Sequence, residues 1–331
     1  MRSRSWLKYS LLFALAFTPA LAAISSDVLR ARDLCYRQEF DSALAAVRTG
    51  FGRDTSDPAG YYWQASIIQL LIYDSGNKQL ADSFYSLSDK AIGAARRRLS
   101  RNNRDAEAHF YFGMTQLNRA NLLGWQQRAL AAFRALFEVT PHLNAALAED
   151  SSLTDARLGI GVVEFFKASA DKYVPGMRLL GSRKKAYRLV TSVADQDGVL
   201  QPAAEVLLAY MLKEDGDCSG AVRYCRKLLG RYPGNRTTMR LMRDAQFRGG
   251  MLSAALATGR RVEQEIADAC PGNRYALSEN WVVCGKTFAK VGQRDSARVR
   301  FDRVIAWEPY IGEVPWLADY VREAKQWRKK L

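Results

Sequence analysis

Apolar residues recur three and four positions apart along most of this chain, the period of an α-helix that buries one face. In residues 59–100, Trp63, Ile67, Leu70 and Leu71 fall on one side of a first helix, and Phe84, Leu87 and Ile92 on one side of a second. Leu29 to Val47 places Ala31, Leu34, Phe40, Ala43 and Val47 in the same manner. Asp105 to Pro141 carries Phe112-Gly113 on a first helix, then Ala129, Phe133 and Pro141 on a second, with about four extra residues between. The run Asp155-Ala156-Arg157-Leu158-Gly159-Ile160-Gly161 opens another first helix. Its partner starts late, near Ser182, after a connection over 172–181. Nine prolines in 331 residues, with long stretches rich in Ala, Leu and Arg, favour helix over sheet.

After residue 200 the pattern repeats in a fixed frame. Ser278 to Pro309 reads Trp281, Cys284, Gly285, Phe288, Gly292, Ala297, Phe301 and Pro309. Leu208, Ala209, Leu212, Gly216, Ala221, Cys225, Leu228 and Pro233 align with it, as do Met242, Gly250, Leu252, Ala255 and Val262, with Pro271 arriving late. Gly216 and Gly250 stand 34 residues apart, and so do Ala221 and Ala255. Gly285 and Ala297 suit a close helix crossing, Gly292 a tight turn, and Pro309 the end of a second helix.

These spacings resemble the tetratricopeptide motif, with Cys284 where Leu is usual, Phe288 where Tyr is usual and Val304 where a small Ala is commoner. The resemblance covers nearly all of the chain after residue 23, with weak motifs before residue 200. It implies an all-α, α-solenoid fold: a right-handed superhelix of about seven helix pairs, with a capping helix over Val314–Leu331. The organisation expected is a signal peptide at 1–23, degenerate repeats at 24–171, a basic and apolar connection with its helix at 172–200, and repeats plus cap at 201–331. The resemblance also implies a concave groove lined by first helices. Carrying its groove-facing offsets over places Tyr210, Lys213, Arg240, Phe247, Arg248, Lys286 and Lys290 in one stripe, interspersed with Glu214, Asp244 and Glu279. Such a stripe could hold an extended acidic segment or a terminal carboxylate of a protein partner through charge-assisted hydrogen bonds. A solvated, charged helix face is the plainer reading of the same residues.

The N-terminus bears on compartment. Arg2, Arg4 and Lys8 precede the apolar run Leu11 to Phe17, which Pro19 and the small-residue end Ala20-Leu21-Ala22 close. That order predicts a secretory signal cleaved near Ala22 and an exported protein of the periplasm or cell envelope; an uncleaved anchor is the competing reading. The apolar run is short of the ~20 residues that span a bilayer.

Formal charge is +15, unevenly distributed. Residues 24–177 carry 18 basic and 17 acidic side chains, and residues 178–331 carry 28 and 17, a balance of +11. An exported basic surface meets acidic proteins, anionic lipid head groups or acidic polysaccharides rather than nucleic acid. Binding an anionic membrane or envelope polysaccharide through the basic half is therefore the alternative function. Met177, Leu179 and Leu180 beside Arg183-Lys184-Lys185 are the residues that would touch a membrane, or that simply cover the long connection. Arg96-Arg97-Arg98 with Arg101 and Arg104 closes a second helix, where cations complement the helix dipole.

No constellation for catalysis stands out. The chain lacks a Lys-Ser/Thr phosphate loop, a Gly-x-Ser-x-Gly elbow and a His-Glu-x-x-His pair, and its two histidines, His109 and His142, read as structural. No cofactor or metal is expected. Among Cys35, Cys218, Cys225, Cys270 and Cys284, the pair Cys270 and Cys284, separated by a Pro271-Gly272-Asn273 turn, is the better candidate for a disulfide; small apolar residues in helix seams is the other reading.

Overall fold

The computed structural model describes residues 26–51, 54–173, 176, 179–314 and 316–331. The expected signal segment lies outside the described residues, as does Met177. Every regular element among the described residues is helical. The described residues divide into two compact units, one of those up to residue 70 with 80–208, the other of 71–79 with 209–331.

The first unit holds α1 (Ser26–Tyr36), α2 (Phe40–Gly50), most of α3 (Pro58–Ser75), α4 (Leu80–Arg101), α5 (Ala106–Trp125), α6 (Ala129–Glu149), α7 (Ala156–Lys167), the single turn α8 (Ala170–Tyr173), α9 (Arg183–Ala194) and the first half of α10 (Gln201–Asp215). Local chemistry sets the helix ends. Asp105 caps α5 by accepting from the Ala108 amide at 2.9 Å, and Ser182 caps α9 by accepting from Lys185 at 3.2 Å. Arg98 then braces the α5 cap, with Nε 2.8 Å from Asp105 and Nη2 2.9 Å from Glu107. Pro141 lies inside its helix, and α6 runs on through it to Glu149. Pro141 and Phe137 lie on the exposed side, so water can serve the carbonyl that loses its amide partner, while Val139, Leu143 and Ala146 keep the buried stripe unbroken.

The second unit takes the end of α3 and the rest of α10, then α11 (Cys218–Arg231), α12 (Arg236–Arg248), α13 (Leu252–Ala269), α14 (Arg274–Lys290), α15 (Arg294–Ile305) and α16 (Leu317–Arg328). Asp217, Asn235 and Asn273 cap α11, α12 and α14, each accepting from the amide three residues on at 2.7–2.9 Å. The crossing of α14 and α15 is as close as the sequence suggests. A methyl group on Gly285 would fall 2.7 Å from the Phe301 ring, so only glycine fits there. Pro309 sits in a 3-10 turn over Glu308–Gly312 after α15 has ended. Helix α16 buries Leu317, Tyr320, Val321 and Ala324 and leaves its other face polar, as a cap does. Counted along the chain, the described helices make seven pairs, with α16 last.

All five cysteines are free thiols, so the candidate Cys270–Cys284 bridge is not formed. Cys284 is instead buried in the seam against Gly259, and burial pushes its thiol pKa up. Burial does the same to Cys225, to about 12.

Candidate functional site: a face of first helices in the second unit

The expected groove residues sit on α10, α12 and α14, and the structure sorts them into a covered end and an open end. At the covered end, Arg236, Arg240 and Arg243 occupy successive turns of α12 and are all buried. Arg240 donates to Glu279 on α14 at 3.0 Å and to the backbone carbonyl of Tyr73 at 3.2 Å. Burial opposes its charge, but Glu279 and Asp74 outweigh that and raise its pKa. Arg243, fully buried, donates to Asn280 at 2.8 Å, to Glu279 at 2.9 Å and to Asp244 at 2.7 Å.

The chain's own segment at 73–76 is what these groups hold. Arg236 grips the Asp74 carboxylate with two bonds of 2.7 and 3.3 Å, and the Asn273 amide donates to the Asp74 carbonyl at 2.8 Å. Gly76 follows with φ +67°, and a side chain there would stand 2.4 Å from the Tyr275 ring. Asp74 is the only charged residue of α3, so an otherwise uncharged helix ends in one carboxylate that meets a buried arginine.

At the open end, Tyr210 is buried beneath the Lys213 ammonium, which lies 5.0 Å from its ring centre. Glu214 stands 3.3 Å from Lys213 and 3.4 Å from Arg248. The half-buried Phe247 ring receives two ammonium groups, Lys286 at 5.5 Å and Lys290 at 4.4 Å. Lys286 also pairs with Glu323 of α16 at 3.0 Å, whereas Lys290 and Arg248 reach the surface. Two ammonium groups thus lie over the Phe247 ring, while Lys213 lies over Tyr210 and Arg248 pairs with Glu214. The sequence offsets name residues on these three helices but do not distinguish the two ends. The missed groups are Asp74, Arg236, Arg243, Asn273 and Asn280, and the arginine spacing on α12 with the lone carboxylate of α3 was the available signal.

Elsewhere, His109 and His142 meet across α5 and α6, their Nδ1 atoms 2.9 Å apart, with His142 stacked on Phe112 at 3.9 Å. The Asn103 carbonyl accepts from His109 Nε2 at 3.0 Å, which leaves His109 Nδ1 to accept from His142. Burial first, then His109, holds the pKa of His142 down to about 4. No group of three or more His, Cys, Asp or Glu side chains is placed to hold a metal among the described residues. Leu180 is wholly exposed, but Arg183 lies over Phe165 at 4.5 Å and Lys185 pairs with Glu164 at 3.0 Å.

No family model and no curated protein matches the chain. Solved structures do. PilW, a widely conserved type IV pilus biogenesis factor, superposes with a TM-score of 0.51 at 13% identity, over 72% of this chain and 94% of that one. YrrB, a tetratricopeptide protein with an unusual peptide-binding site, gives 0.43 at 20% identity, over 72% and 98%. A tetratricopeptide protein from Parabacteroides merdae gives 0.43 at 15%, over 90% and 97%. With the repeated helix pairs, the turn glycines and the capping helix, the chain has an all-α, α-solenoid fold similar to that of PilW.

Proposed function

We propose that this chain is a non-catalytic protein-interaction scaffold of the cell envelope, and that Phe247, Arg248, Lys286 and Lys290 receive an acidic segment of a protein partner, with the buried Lys213 holding Glu214 beside Arg248. The observation that carries the reading is the half-buried Phe247 ring under two ammonium groups, beside an exposed Arg248. An extended acidic segment could lay an apolar side chain on the ring and carboxylates on the cations. The covered end supports the same chemistry, because the adjoining turns of α12 and α14 already hold an acidic segment of this chain through Asp74. Tyr210 and Arg240 are buried and take no part in contact with a partner. Export rests on the N-terminal order of charged, apolar and small residues; no described helix is long and apolar enough to cross a membrane.

The test is a crosslinking pull-down from envelope extract with wild type and with an Arg248→Glu/Lys290→Glu variant. Arg240 is left intact, since reversing it would break the buried pair with Glu279. A protein captured by wild type and lost by a folded variant supports the reading and names the partner. Equal recovery would overturn it. So would co-flotation with anionic vesicles in the absence of any protein partner, which favours binding through the basic surface.

A further inference from the structure

A cleft of about 400 Å³ opens in the first unit among α4, α5 and α6. Its floor is apolar, made by Leu123 of α5 and by Ala131 and Ala135 of α6. Its walls are cationic: Arg119, Arg128 and Arg134 all line it. The one carboxylate that lines it, Glu138, accepts a hydrogen bond from the buried Gln116 amide and is turned to that partner. Arg119 is paired with Asp89 and lies 5.6 Å from the Tyr85 ring centre, forming the closed side. Tyr85 is fixed in turn by donating to Gln126 at 2.9 Å. Among the described residues, no carboxylate stands within ion-pair distance of Arg128 or Arg134, both of which are exposed at the mouth. Burial raises the Tyr85 pKa, while Arg128 and Arg119 act against it, so their positive charge is felt inside the cleft.

Two unpaired guanidiniums at the mouth of an apolar slot select for a particular shape of ligand. A simple inorganic anion would satisfy the arginines and leave Leu123, Ala131 and Ala135 wet. A neutral apolar molecule would cover the floor and leave the arginines unused. We propose that this cleft binds a small amphiphilic carboxylate, with its oxygens on Arg128 and Arg134 and its aliphatic or aromatic body on the floor beside Tyr85. The cavity lies in the ~300–1,000 Å³ range of small-molecule sites. Arginine is also the side chain suited to bidentate carboxylate recognition.

Isothermal titration of the purified chain with octanoate, octanol and inorganic phosphate tests this. Saturable octanoate binding is expected, about tenfold or more tighter than octanol, since charge-assisted bonds are the stronger ones. Arg128→Glu/Arg134→Glu should weaken octanoate by at least about tenfold, with an unchanged circular dichroism spectrum, because both residues are exposed. Phosphate at matched concentration should not displace it. The wild-type comparison of octanoate with octanol stands whether or not the variant folds. Absence of octanoate binding, equal binding of octanol, displacement by phosphate, or a folded variant that still binds octanoate would each overturn the proposal.

Discussion

One buried and one half-buried titratable group in the first unit pull stability in opposite directions with pH. Asp155, 7% exposed at the start of α7, caps nothing with its side chain, and burial raises its pKa to about 7. Its folded value lies above its unfolded one, so stability is full below about pH 4 and falls as pH rises through 7. Asp155→Asn should therefore stabilise more at pH 8 than at pH 5, by on the order of 2–3 kcal/mol. An equal effect at both pH values would count against a buried ionising carboxylate. His142 behaves oppositely. Its folded pKa near 4 lies below the ordinary imidazole value, so its contribution is present above about pH 6.5 and is lost as pH falls toward 4. Glu138 favours its protonation, whereas Arg96 and His109 oppose it. With only two histidines in the chain, an NMR titration reads this directly, His109→Gln assigning the signals. One imidazole should titrate near 4, and two ordinary midpoints would contradict the His109–His142 contact.

At the scale of helices, the tightest constraint is the α14–α15 crossing. Gly285→Leu must displace the Phe301 ring, which is itself fully buried, and should lower stability by about 2 kcal/mol or more through overpacking. Gly230→Ala, in the last turn of α11 with open space around it, should be neutral or slightly stabilising. Parallel thermal melts decide the matter, since equal effects would mean that helix propensity rather than packing governs Gly285. Gly285 was legible in the sequence because its role is local: the helix it crosses begins nine residues further on, at Arg294. The caps at Asp217, Asn235 and Asn273 are local in the same sense. How far α6 runs beyond Pro141 was not legible. Whether a proline ends a helix or rides on its solvent face depends on which side is buried, and for α6 that is fixed by the packing of Leu143.

For the molecule as a whole, the same distinction separates the fold from the candidate site. Period, turn spacing and capping residues act within one hairpin, so the all-helical repeat could be read from them. Asp74 and Arg236 are 162 residues apart, and no helical offset relates them. The basic excess after residue 178 likewise cannot be taken at face value. Arg236, Arg240, Arg243, Arg300 and Lys286 are spent on buried or half-buried carboxylates, leaving Arg248 and Lys290 as the groove cations that face water. Exposed charges of this kind are screened over about 8 Å at physiological ionic strength, whereas the buried pairs are not. Partner affinity should therefore fall steadily as salt is raised, while the fold persists, because Asp74 and Arg236 remain sealed from solvent. In Arg248→Glu/Lys290→Glu the salt dependence should flatten or reverse in sign. Salt-independent binding by wild type, measured against the captured partner by surface plasmon resonance, would place recognition on apolar contacts instead and remove the open-end cations from it.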